Sequence, residues 1–154
     1  MAHPKLLHVG IKDVECGENV TIVEPSNVYG CTLADGVFVG PFVEIQKGVS
    51  IGRRSRVQSH TFICEGVSIG EDCFIAHGVM FTNDLFKKGG ASRDPNDWMT
   101  TRIGARVSIG SGATILPVSI CDDVVIGAGA VVTRDINEPG VYLGTPAKLH
   151  RKLK

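Results

Sequence analysis

From Leu33 the chain reads in sixes: LADGVF, VGPFVE, IQKGVS, IGRRSR, VQSHTF, ICEGVS, IGEDCF, IAHGVM, then FTN. An aliphatic residue opens each unit until Phe81. The fifth position stays small or β-branched, as Val37, Val43, Val49, Ser55, Thr61, Val67, Cys73 and Val79. The phase returns at Ile103 with IGARVS and IGSGAT, and again at Ile126 with IGAGAV. A fixed six-residue beat marks a parallel β-helix, in which three units close one triangular coil. An ordinary β-sandwich alternates with period two and has no reason to keep a beat of six. In the helix, position one fills the prism, position five turns inward near a corner, and glycine at position two or four eases the corner backbone.

On this phase about 18 hexads run from Cys16 to Val132, giving about six coils and a column about 30 Å tall. Two steps, Val28 to Leu33 and Ile115 to Ile120, are one residue short and are expected to be tightened corners. The repeats are expected over 16–136, broken by an insertion at 84–102 that carries about 16 residues beyond the beat. The insertion is polar and turn-rich and holds the only tryptophan, so a protruding loop at a binding face is expected, with Phe86 and Trp98 as its apolar anchors. Residues 137–154 leave the beat at Asn137-Glu138-Pro139-Gly140. They are expected to cap the last strand edge with a short basic helix. The whole of 1–154 reads as one domain.

Composition narrows the choices. Lys+Arg and Asp+Glu both number 16, for a net charge of +0, so global charge gives no argument for nucleic-acid or membrane binding. No apolar run approaches the roughly 18 residues a spanning helix needs. The start, Met1 to Lys5, lacks the layout of a secretion signal. Five scattered cysteines (Cys16, Cys31, Cys64, Cys73, Cys121) form no CxxC pair, which argues against a zinc ribbon and fits a reducing, cytoplasmic setting.

Residues 18 apart stack on adjacent coils. Lys47, Glu65 and Asn83 therefore form one column, Ser59 and His77 another, and His60 stands over Gly78 at a corner. Asn83 is the last regular residue before the insertion and should mark the loop's root. Its side-chain oxygen can orient an amine, but an amide does not titrate and cannot serve as a base. His60 and His77 are the only histidines among the repeats, and either could take a proton; each is equally readable as scaffold. Glu65 could bond a substrate or simply pair with Lys47. Gly110, Gly127 and Ala128 leave backbone N–H groups approachable on the late coils, suited to an extended arm and an oxyanion.

The hexads, the loop after Asn83, IGAGAVVTRDI and the YLGTPAK ending together resemble the hexapeptide-repeat acyltransferase superfamily. Within it, GPFVEIQKGVSIG, QSHTFICEGVSIG and HGVMFTND are similar to N-acetyltransferases of nucleotide-linked amino sugars. The resemblance implies a left-handed, all-β helix and an acetyl-CoA-dependent enzyme that acetylates a 3-amino sugar carried on UDP or dTDP, serving O-antigen or other surface-glycan synthesis. It implies Asn83 as the central residue, with His60 and His77 as further catalytic candidates and Glu65 and Asp84 beside the substrate. CoA would run past Gly110, Gly127 and Ala128, its nucleotide end near Gly144, Pro146, Lys148 and Arg151. A three-sided prism packs naturally about a threefold axis, so a homotrimer is expected.

No metal is expected. A γ-class carbonic anhydrase, which shares the fold, needs three histidines, whereas His60 and His77 are 17 residues apart with no third in the repeats. O-acetylation of a small hydroxyl compound is the alternative enzyme, and a non-catalytic scaffold the alternative class.

Overall fold

The structure is a computed structural model and describes residues 10–153. The Met1 to Lys5 start and Lys154 lie outside the described residues. Three parallel sheets of very short strands form the faces of a left-handed β-helix. The first face stacks Ile11–Lys12, Asn27–Tyr29, Glu44–Ile45, Phe62–Ile63, Met80–Phe81, Thr114–Ile115 and Val131–Val132. The second stacks Glu15–Cys16, Thr32–Leu33, Ser50–Ile51, Val67–Ile69, Thr101–Ile103 and Ser119–Ile120. The third runs from Thr21–Ile22 to Val124–Ile126 and takes in Gly140–Leu143. The first face counts seven strands, one coil more than the hexad phase indicates, because pairing already starts at Ile11 with Val28.

Position one builds the core. Leu33, Val39, Ile45, Ile51, Val57, Ile63, Ile69, Ile75 and Phe81 are all buried and stack in registered columns such as Ile45 on Ile63. Position five is buried with it. Where that position is polar, its hydroxyl is satisfied by the next coil: Ser55 donates to the Gly70 carbonyl at 2.8 Å and accepts from the Cys73 N–H at 2.9 Å. Thr61 donates to the Ala76 carbonyl at 3.0 Å. A buried hydroxyl with such partners costs little, which is why serine and threonine are tolerated there. Both short steps are tightened corners: Val28 still pairs with Ile45, and Ile103 with Ile120.

Position four turns each corner with the backbone in the left-handed region. Gly36, Gly48, Gly66 and Gly78 occupy it, but so do Phe42, Arg54, His60, Asp72, Arg106 and Asp123. Position-two glycine has a different reason. A Cβ on Gly52 or on Gly70 would stand 2.5 Å from the backbone of the coil above, so close coil-on-coil approach, not φ, requires glycine there.

Two boundaries differ from the sequence reading. The insertion ends at residue 100, because Thr101 and Arg102 already pair with Val67 and Ser68. The C-terminal cap is not a helix. Lys148–Arg151 folds back antiparallel on Gly140–Leu143, covering the last edge with a strand. A strand satisfies the open row of N–H and C=O groups directly, which a helix laid across it could not do.

Candidate active site

The three edges of the prism differ in chemistry. The edge between the second and third faces is an ion-pair ladder. Arg54 grips Asp72 with Nε and one terminal nitrogen at 2.7 Å each, and Arg106 grips Asp123 at 2.7 and 2.8 Å. The guanidinium of Arg54 holds the Asp72 carboxyl below its ordinary value, and Arg106 does the same for Asp123. This edge is self-neutralised and leaves little charge for a ligand.

The edge between the third and first faces carries no such pairs among the described residues. Its third-position column is Ser59, His77, Ser111 and Ala128, linked coil to coil by the bonds Gly78 N–H to Ser59 O, Gly112 N–H to His77 O and Gly129 N–H to Ser111 O, at 3.0, 2.9 and 2.9 Å. His77, Ser111 and Ala128 are exposed. His60, also exposed, sits at the left-handed corner one coil before Gly78. The column thus joins both candidate histidines to Gly110, Gly127 and Ala128 on one continuous edge. Gly110 and Gly127 also have a packing reason of their own: added Cβ atoms would meet the Ala128 N–H and the Leu143 side chain.

Above these coils the edge reaches the C-terminal hairpin. There the segment from Gly144 to Ala147 crosses over Val131, and Pro146, Ala147 and Lys148 with Thr133 and Arg134 line a hollow of about 350 Å³. Thr133 and Arg134 belong to the far corner of the first face, above Thr82 and Asn83. The sequence reading singled out Pro146 and Lys148 but missed Thr133 and Arg134. The signal was present in TRD, which closes the last hexad with an exposed cation. Gly144 makes the hairpin turn at φ +95, and its carbonyl accepts from Val131 N–H at 3.1 Å. Arg151 donates to the carbonyl of the next residue, Lys152, at 3.4 Å and is not part of the hollow's lining.

The third edge, between the first and second faces, holds the loop. Lys47 and Glu65 stack as an ion pair at 3.5 Å, and Asn83 stands on Glu65, its Nδ2 donating to the Glu65 carbonyl at 3.1 Å. The Asn83 carbonyl accepts from Met99 N–H at 2.8 Å and so ties both ends of the loop together. With Nδ2 engaged, Oδ1 is the free acceptor of that amide among the described residues. The next column inward is Gln46, Cys64 and Thr82. Together with Phe62, Phe81, Asn83, Asp84, Phe86 and Trp98 it lines a cleft of about 370 Å³ under the loop. The Thr82 hydroxyl is a buried polar atom with no partner among the described residues. Burial pushes the Cys64 thiol up to about 11, so it lies in the cleft as an unreactive small side chain.

Asp84 has a local duty. Its two carboxylate oxygens accept from Phe86 N–H at 2.8 Å and Ser92 N–H at 2.7 Å, folding the loop on itself. Lys88 with Asp97 at 2.7 Å, and Asp94 capping the short turn Pro95–Asp97, complete the loop. Trp98 is half-buried. Phe86 is 60% exposed, so it walls the cleft and does not anchor the loop. Gln46, Cys64 and Thr82 were missed in the sequence, although the stacking rule that gave Lys47, Glu65 and Asn83 gives this neighbouring column as well. Phe62, from the first-face column of Glu44 and Met80, was missed too.

Within one chain the candidates fall into two groups. His77 and Asn83 stand at opposite corners of the first face, six near-extended residues apart, on the order of 15–20 Å. A single copy therefore does not bring the histidines to Asn83.

The repeats match known repeat families. Residues 30–65 match the bacterial transferase hexapeptide (six repeats) and residues 100–134 the hexapeptide repeat of succinyl-transferase. Bifunctional protein GlmU of Streptococcus uberis is 27% identical over 143 residues, covering 87% of this chain and 31% of that protein. The chain thus spans less than a third of that relative's length. The perosamine N-acetyltransferase of Caulobacter crescentus, solved as a variant with CoA and GDP-perosamine, superposes with TM-score 0.72 at 25% identity over 84% of this chain and 56% of that one. A variant of AntD, an N-acyltransferase from Bacillus cereus solved with dTDP and coenzyme A, gives 0.76 at 19% identity, covering 90% and 86%.

Proposed function

We propose that this chain, a left-handed β-helix carrying the hexapeptide repeat of bacterial transferases, is an acetyl-CoA-dependent N-acetyltransferase of a UDP- or dTDP-linked 3-amino sugar. The observation that carries the reading is the division of labour between edges. One edge is glycine-lined, free of ion pairs among the described residues and ends at the Gly144 turn with Lys148 beside it. Another sets Asn83 at the mouth of an aromatic cleft, with Arg134 two coils above it in the same column. The first suits the pantetheine arm, with the CoA phosphates at the hairpin hollow that Lys148 and Arg134 line. The second suits an acceptor.

In the reaction the neutral amine attacks the thioester carbonyl carbon, the C–S bond breaks, and the thiolate collects the proton the amine gives up. Asn83 Oδ1 orients the amine as a hydrogen-bond acceptor. The glycine N–H groups, Gly110 and Gly127 included, are already bonded to neighbouring coils. The oxyanion therefore falls to the third-position N–H groups of Ser111 and Ala128, which have no partner among the described residues. His60 or His77 can carry the proton, but only if an Asn83 corner from another copy faces the glycine edge.

The outer faces support that assembly. On their middle coils the first and third faces present Phe62 and Met80, and Phe38 and Phe74, with Met80 and Phe74 at 43% and 40% exposure. Asn27, Glu44, Thr114, Thr21, Arg56 and Ser108 stand on the other coils of those faces, while the second presents Thr32, Ser50, Ser68, Arg102 and Ser119. The two apolar patches flank the glycine edge, so a homotrimer that buries them completes three sites and leaves the polar second face to water.

The test is a thiol-release assay with acetyl-CoA across UDP- and dTDP-linked 3-amino and 4-amino sugars, with simple hydroxyl compounds in parallel. Turnover with a 3-amino sugar is expected. Turnover with hydroxyl compounds alone would overturn the assignment.

A further inference from the structure

The early coils of the glycine edge break its own rule. Position four is glycine on the later coils, as Gly78, Gly112 and Gly129, but on the two coils before them it is Phe42 and His60, at φ +58 and +64. On the ion-pair edge the same left-handed corner also carries side chains, Arg54, Asp72, Arg106 and Asp123, but those are held in salt bridges, and Phe42 and His60 are not. Neither ring is repaid by burial: Phe42 is 58% exposed and His60 is exposed. The rings stack on each other, centroids 5.0 Å apart and planes within 29°. Beside Phe42 lies an open hollow of about 290 Å³, whose walls include Asn27 and Glu44.

We infer that Phe42 and His60 form a stacking platform for the base of the nucleotide-linked acceptor, an assignment that rests on the proposed function above. The position fits the ligand's length. CoA descends this edge from the hairpin, which places the thioester near His77. Phe42 lies two coils further on, about 10 Å along the axis at one strand spacing per coil. A sugar, a pyrophosphate and a ribose span a comparable distance between amine and base. The chemistry fits as well. A flat exposed ring accepts the face of any base, and Glu44 and Asn27 can bond the edge of a pyrimidine through its imide N–H and carbonyls. Glu44 already accepts from Gln46 Nε2 at 3.1 Å through Oε1, which leaves Oε2 for the ligand. The same carboxylate would repel a phosphate, so the base, and not the pyrophosphate, belongs at this end. His60 is on this reading a binding residue.

Phe42→Gly tests the platform without endangering the fold, since glycine is what this corner uses on the later coils. Binding of UDP, dTDP and acetyl-CoA to the full chain is measured by calorimetry, with thermal melting as the fold control. The variant should melt no lower than wild type, keep its acetyl-CoA affinity and bind its preferred nucleoside diphosphate about tenfold or more weakly. Phe42→Trp should restore that affinity. Equal nucleoside diphosphate binding by Phe42→Gly and wild type would overturn the platform alone. If wild type binds acetyl-CoA but neither UDP nor dTDP, the nucleotide-linked acceptor falls and the platform with it.

Discussion

Asn83 is held twice, by Nδ2 on the Glu65 carbonyl and by its own carbonyl on Met99 N–H, so its Oδ1 has one direction to point. For an amine acceptor, Asn83→Ala should lower kcat by about 100-fold with acetyl-CoA KM little changed, because misplacing the nucleophile costs that much. His77→Asn should leave more activity, since the product thiolate can take the proton. A hydroxyl acceptor would reverse that order, which steady-state kinetics of the two variants would show. The ion-pair edge gives a prediction of stability with pH. Asp72 has a folded pKa below its unfolded value, so its contribution is present above the ordinary carboxylate range near about 4 and is lost as pH falls through the folded value. Asp72→Asn should therefore melt below wild type at pH 7, and the gap should close as pH falls below about 4. A gap that stays constant would mean the pair does not act through titration.

At the level of coils and loop, two kinds of glycine can be told apart by one substitution. Gly70→Ala sets a methyl 2.5 Å from the Gly104 carbonyl oxygen, backbone that has nowhere to go, and should cost about 1–3 kcal/mol or more. Gly78→Ala has nothing within 4 Å and should cost only the left-handed strain, about 1–2 kcal/mol. Denaturant melts of the pair measure the difference. In the loop, Asp84→Ala removes acceptors from Phe86 and Ser92 N–H. Amide exchange should quicken across 84–100 while the coils stay protected. Exchange that quickens throughout would show that the loop and coils melt as one unit.

For the whole molecule, the unequal faces carry the expectation of assembly. Light scattering should give three copies per particle, and Met80→Glu, placing charge on an apolar outer patch, should shift it to one copy with loss of turnover. A wild-type monomer that still turns over would refute shared sites. At the hairpin, Arg134→Ala with Lys148→Ala should raise acetyl-CoA KM several-fold without lowering the melting temperature. An unchanged KM would reduce the hairpin to a cap.

The sequence alone determined the helix, because a six-residue beat of inward Val, Ile and Leu has one economical packing, and 18-residue arithmetic then stacks Lys47, Glu65 and Asn83 without coordinates. It also placed the loop, though not its last two residues, since Thr101 and Arg102 lack the aliphatic opening that marks a hexad. The C-terminal strand could not be read: LHRKLK has a helix former's composition, and only the open edge of Gly140–Leu143 makes pairing the better choice. Tertiary structure likewise decided that Asp84 serves the loop, that His60 stacks on Phe42, and that the histidines and Asn83 occupy opposite corners of a face. Spacing along a chain gives the column a residue joins. Which way its side chain turns, and what it finds there, depends on the coils above and below.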